Sequence, residues 1–179
     1  MKPFSAAPEA SQLQSDPIAK AATSDTVAAL HIAAITGDIN AISELGTVYR
    51  FGRGVERRIR VAAEFHVIAA LDGDATAIAS LAEYRDEIEA EAIGGSLLAA
   101  LCLAKMHDRG LGVEQNKAKM FAWLLWGERC GTLENEFDVR EELEDMRSFY
   151  ALTLSDDTKD EACALSNRMR AAAPRAVMA

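Results

Sequence analysis

This 179-residue chain lacks a basic excess, paired cysteines, long uncharged runs and strand-like alternation of β-branched residues. Each absence excludes something. Lysine and arginine number 19 against 28 aspartates and glutamates, for a net charge of −9. That balance removes the attraction by which proteins hold a phosphate backbone or an anionic membrane, so no nucleic-acid partner is expected. The longest stretch free of charged residues is 92–104, which contains Gly94 and Gly95. A spanning helix needs about 20 apolar residues, so direct membrane insertion is not expected either. Cys102, Cys130 and Cys163 are odd in number and far apart, which reads as reduced, mostly buried thiols rather than a disulfide framework. Aromatic residues make up only 6% of the chain, so any core must be built largely from alanine and aliphatic side chains. Residues 1–24 have no apolar core behind Lys2, so no secretory leader is expected and the chain reads as cytoplasmic.

What is present is internal repetition. The phrase Ala33-Ala34-x-x-Gly37-x-x-x-Ala41-x-x-x-Leu45-Gly46 returns as Ala69-Ala70-x-x-Gly73-x-x-x-Ala77-x-x-x-Leu81-Ala82, an offset of 36 residues (33 to 69). A second phrase, Leu45-Gly46-x-x-Tyr49-x-x-Gly52-x-Gly54-Val55, returns as Leu103-Ala104-x-x-His107-x-x-Gly110-x-Gly112-Val113, an offset of 58 (45 to 103). Repetition at such periods marks a stacked array of helical units. Residues 1–24, with Pro3, Pro8 and Pro17, read as a flexible tail, 25–173 as the repeat domain and 174–179 as a second tail. Within the domain the apolar spacing predicts about eight helices, near 25–36, 38–51, 58–71, 75–92, 96–109, 116–130, 133–150 and 156–172. Gly37-Asp38 and Gly73-Asp74 each end one helix and cap the next. The short connections predict antiparallel neighbours. The glycines Gly52, Gly54, Gly110 and Gly112 are the expected turn residues.

The rhythm breaks in the middle. Counting 36 residues on from Tyr49, Gly52 and Gly54 gives Arg85, Ile88 and Ala90, within the helix-forming run Arg85–Glu91. The partner helix of this copy is expected to be missing, which would reverse the direction of every later helix. If the chain has a specific partner surface, this break is the first place to look.

The phrase around Tyr49, Gly52 and Gly54 resembles the Sel-one-like repeat, a relative of the tetratricopeptide repeat. Ala41–Gly73 matches well, including Ala62, Phe65, Ala69 and Ala70. Ala99–Gly131 matches less fully, with Ala104 in place of glycine, His107 of tyrosine, and Trp123 as the second-helix aromatic. Arg58 and Asn116 stand where the family's loop carries an acidic residue. The segment from Leu154 through Leu165 is similar to the capping helix that closes bacterial members. The resemblance implies an all-α fold, an α/α right-handed superhelix or solenoid of antiparallel helices, here irregular in the middle. Leu30-His31-Ile32-Ala33-Ala34 resembles an ankyrin helix, but ankyrin periods of about 33 residues fit neither offset.

No constellation of residues commits the chain to catalysis. His31, His66 and His107 fall on three different helices, without a paired histidine or Cys-x-x-Cys spacing, so no metal and no cofactor are expected. Gly52-Arg53-Gly54 has no preceding strand and no following Gly-Lys-Ser/Thr, so it reads as a turn and not a phosphate loop. The resemblance implies a non-enzymatic scaffold or adaptor that holds a protein or peptide in a groove. The alternatives are an accessory subunit of a larger envelope or respiratory complex and, behind it, a hydrolase built on the scaffold. Groove candidates, taken from the faces opposite the core, are Asn40, Glu44, Thr47, Arg50 and Phe51 on one helix and Lys105, Met106 and Arg109 on another.

Overall fold

Helices are the regular elements of the computed structural model, which describes residues 24–130 and 137–173. Nine lie among the described residues: α1 (Ser24–Ile35), α2 (Ile39–Phe51), α3 (Ile59–Leu71), α4 (Ala75–Glu83), α5 (Arg85–Ile93), α6 (Leu97–Arg109), α7 (Lys117–Cys130), α8 (Phe137–Thr153) and α9 (Asp156–Ala172). The fold is all-α. The expected tails (1–23 and 174–179), Gly131 and the first residues of the 133–150 helix lie outside the described residues. No described helix is long and apolar enough to cross a membrane.

The 58-residue offset is exact in the backbone. α2 and α6 begin and end 58 residues apart, and α3 and α7 begin 58 apart. Gly52 and Gly110 both take left-handed φ, and their N–H groups donate to Val48 O and Met106 O. Arg58 N then reaches back to Tyr49 O, and Asn116 N to His107 O, at 3.0 and 2.9 Å. Each turn therefore closes through the same bonds. Gly112 has a second duty, because a Cβ there would stand 2.7 Å from Ala82 N on α4.

The helix expected to be missing is present. The hinge that ends α1 bonds Gly37 N to Ala34 O and Asp38 N to Ala33 O. Gly73 and Asp74 repeat it on Ala70 and Ala69, and Gly95 and Ser96 repeat it on Ala92 and Glu91. α5 thus ends as α1 and α3 do, and it packs on α6 as α1 packs on α2. The expected single helix over 75–92 is instead two, broken at Tyr84 with φ −116° and ψ 22°. The middle pair has lost its loop and kept both helices. Leu81, Tyr84, Ile88 and Ala92 are all essentially inaccessible, so both halves keep a buried face on either side of the break.

Caps begin these helices. Asp38 accepts from Asn40 N and Ala41 N, Asp74 from Thr76 N and Ala77 N, and Ser155 from Thr158 N. Cys102 is a buried thiol and Cys163 a half-buried one; the side chain of Cys130 lies outside the described set. α6 is apolar on almost every side, from Leu97 through Ala104, because α3, α5, α7 and α8 all pack against it. Trp126 of α7 is buried, and its indole N–H donates to Ala92 O at 2.8 Å. At the foot of α6 the nearly buried Asp108 holds α8. Its carboxylate accepts from the Tyr150 hydroxyl and pairs with Lys117 Nζ at 2.5 Å. Burial works to raise this carboxyl's pKa, yet those two donors hold it below the ordinary carboxylate range.

The two copies differ in how their helices meet. In the first, Gly46 lets the ring of His66 lie against the α2 backbone; a Cβ there would come within 2.4 Å of that ring. His66 is fully buried, and its Nδ1 lies 2.7 Å from the Tyr84 hydroxyl. Burial, aided by the Arg50 charge, lowers its pKa to about 4, so it is neutral at neutral pH. At the same positions 58 residues on stand Ala104 and Leu124. Gly46→Ala alone should cost on the order of 2–4 kcal/mol through overpacking. His66→Leu alone should cost about 1–3 kcal/mol by leaving the Tyr84 hydroxyl unbonded. Combined they should cost clearly less than the two together, since the pair reproduces the second copy's packing. Denaturant titration of the four proteins measures this coupling, and strict additivity would contradict the packing account.

Candidate binding cleft

Each A-type helix, α2 or α6, turns one face outward. On α2, Asn40 and Glu44 are exposed and Thr47 is half-buried. With Ser43, Asp74 and Thr76 they line a shallow polar recess of about 280 Å³. The same face of α6 carries Leu98, Leu101, Cys102 and Lys105, the residues 58 positions after Asn40, Ser43, Glu44 and Thr47. They line an apolar recess of about 200 Å³ under α8. The remaining groove candidates are tied down to different degrees. Arg50 donates to Glu83 at 2.9 Å and lies over the Tyr84 ring at 4.5 Å. Phe51 is 54% exposed. Lys105 pairs with Glu142 of α8 at 2.7 Å, and Arg109, largely exposed, with Asp108 at 3.2 Å.

Met106 is a correction. It was expected on the groove and is fully buried, because it stands in the register of Val48, a core position of the first copy. The eight candidates therefore do not converge on one surface.

A different place does converge. A cleft of about 460 Å³ opens where α5, the turn after α6, α7 and α9 meet. Ile93, Val113, Trp123, Leu165 and Met169 give it apolar walls, and Arg85, Glu89, His107 and Lys119 give it charge and hydrogen-bonding capacity. Arg85 is held by Asp86 at 2.6 Å and Glu89 at 3.6 Å. Among the described residues no carboxylate lies within ion-pair distance of Lys119, while its backbone N–H bonds Asn116 Oδ1. Burial raises the pKa of Glu89 against the Arg85 charge, with Asp86 adding to the rise and Lys119 opposing it.

His107 is 5% exposed. Its Nδ1 lies 3.2 Å from Glu114 O. A carbonyl only accepts, so Nδ1 carries the proton. Burial lowers the imidazole's pKa against the opposing bond to Glu114, with Lys119 and Arg85 acting with burial. The ring is therefore neutral at neutral pH, and Nε2 is a free acceptor on the cleft side of the bond to Glu114. Among the described residues no group of three His, Cys, Asp or Glu side chains is placed to hold a metal ion.

The first copy shows what this position looks like when filled. Subtracting 58 from Glu89, His107 and Trp123 gives His31, Tyr49 and Phe65. There Tyr49 and Phe65 stack with centroids 5.7 Å apart, and His31 meets both edge-on at 6.0 Å. The Tyr49 hydroxyl bonds His31 Nε2 at 3.2 Å. In the second copy the ring of Tyr49 has become the shorter His107, and the space is a cleft. Sequence reading singled out the Arg85–Glu91 run but missed Glu89 as a wall residue, and with it Lys119, Leu165 and Met169. The 58-residue offset, extended back through Gly37 and Gly95, would have paired His31 with Glu89.

A scan against protein-family models finds no match to this chain, and a search of curated proteins returns none.

The imidazole state can be measured. Nitrogen NMR should show His107 as the Nδ1–H tautomer, with a titration midpoint below the ordinary 6.5. Because the unfolded ring takes up its proton first, the stability His107 contributes is complete above pH 6.5 and declines as pH falls toward the folded midpoint. The opposite tautomer would contradict the bond to Glu114, and an ordinary midpoint would contradict the effect of the ring's burial.

Proposed function

We propose that this chain is a non-catalytic scaffold or adaptor of the Sel-one-like type, holding a partner protein or peptide on its helical array. The observation that carries the reading is the cleft between α5 and α9. A position where three half-buried rings meet in one copy is a cleft in the other, lined by apolar walls and by charged and hydrogen-bonding groups. A concave site with apolar walls and a few convergent polar groups is the usual form of a binding pocket. Affinity in such clefts comes from a few anchoring side chains. Co-purification with wild-type protein and with Lys119→Glu and Met169→Glu variants, from the native host, tests the reading. A partner should be recovered reproducibly by the wild type and lost with both variants while their melting stays unchanged. A monodisperse wild type that recovers no partner, or recovery indifferent to both variants, would sink it.

A second reading, an accessory subunit of a larger assembly, is favoured by α1. Its only charged residue is Asp25, and Ile32 and Ile35 are 67% and 86% exposed. Stacked arrays end in helices with a polar outer face, as α9 does with Asp160, Glu161 and Arg168. α1 lacks one. If this end docks into a complex, the purified chain should self-associate with rising concentration in sedimentation runs, and Ile35→Glu should suppress it. Monomeric behaviour of the wild type at high concentration would remove this reading.

A further inference from the structure

We infer that the cleft takes a tyrosine side chain of the partner, presented beside a carboxylate. The inference rests on the scaffold reading and specifies its ligand. Three observations carry it.

The first is shape. In the first copy the position is filled by the Tyr49 ring, stacked on Phe65. In the second, His107 stands at Tyr49's position with a smaller ring and Trp123 at that of Phe65, and with α9 as a further wall the cleft of about 460 Å³ has room for a whole phenol ring.

The second is hydrogen bonding. The Tyr49 hydroxyl is met by His31 in the first copy. The counterpart of His31 is Glu89, a half-buried carboxylate, and His107 Nε2 adds a second acceptor from a side chain more than nine-tenths buried. Two acceptors call for a donor. Arg85 and Lys119 on the same rim disfavour an ammonium, which leaves a neutral hydroxyl on an apolar body.

The third is charge. Lys119, where the first copy has Val61, has no carboxylate within ion-pair distance among the described residues, and a carboxylate next to the inserted ring would supply one.

The test uses the full chain with N-acetyl-tyrosine, N-acetyl-phenylalanine and N-acetyl-tyrosine amide as probes. Binding is followed on the indole N–H signals of Trp123, in the cleft wall, and Trp126, buried and bonded to Ala92. N-acetyl-tyrosine should shift the Trp123 signal and bind about tenfold tighter than the phenylalanine probe, because a site built for a hydroxyl rejects the analogue that lacks it. The amide should bind more weakly than the acid. His107→Tyr restores the first copy's own residue and should abolish binding while leaving melting near the wild-type value. Should that variant fail to fold, Lys119→Val, again the first copy's residue, should erase the preference for the acid over the amide. Equal binding of the tyrosine and phenylalanine probes, or binding unchanged in these variants, overturns the inference. A captured partner that competes for the cleft without a tyrosine overturns it too, yet leaves the scaffold reading standing. A capped peptide with an aspartate next to its tyrosine that binds as tightly as N-acetyl-tyrosine supports a protein source; binding of the free acid alone overturns the peptide assignment.

Discussion

The turn that joins the helices of a pair carries more than its length suggests. A left-handed glycine reverses the chain, and one backbone bond, from Arg58 N to Tyr49 O or from Asn116 N to His107 O, fixes where the second helix starts. Everything downstream inherits that geometry. In the second copy the same turn holds His107 twice, through its own carbonyl and through the bond from Nδ1 to Glu114 O. A helix-pairing device thereby sets the tautomer and direction of a side chain in the cleft. Gly112, whose missing Cβ lets the turn sit against Ala82 of α4, ties the same device to the middle pair. The cleft floor is consequently as rigid as the array itself, which is the condition for selective recognition.

The compressed middle pair explains why the cleft exists where it does. Between the hinges at Gly73 and Gly95 the chain has room for α4 and α5 but no loop, so both helices are nine residues long. α5 keeps the buried face its position requires, with Ile88 in the place of Leu30 and Ala92 in that of Ala34. Its other positions differ from α1: Arg85 stands where α1 buries Val27, and Glu89 where it half-buries His31, which puts ionisable groups beside the turn of the second copy. α9 then closes the far side with Leu165 and Met169.

Much of the fold was legible in the residues because its signals are local. Asp38 and Asp74 cap, Gly52 and Gly110 turn, and the alanine pairs mark where helices approach. The kink at Tyr84 was not legible. Arg85–Glu91 is a good helix former on either side of a break, and what decides the break is the burial of Tyr84 beneath Arg50 together with its bond to His66, a partner 18 residues away. Met106 was misplaced for a related reason. A helix surrounded on four sides has no polar face to mark its core side, and only the register with Val48 identifies it. The cleft was the least legible of all. Its walls come from four separate elements, and α9 has no counterpart in the first copy to align with.

Divergence between the copies is patterned. Where helices of a pair meet each other, substitutions compensate: Gly46 with His66 becomes Ala104 with Leu124, and close packing is kept in both. Where α1 or α5 meets the turn they do not. His31, Tyr49 and Phe65 satisfy one another, whereas Glu89, His107 and Trp123 leave a carboxylate, an imidazole acceptor and open volume. On the scaffold reading, this open volume is where a group from outside the chain would meet the second copy.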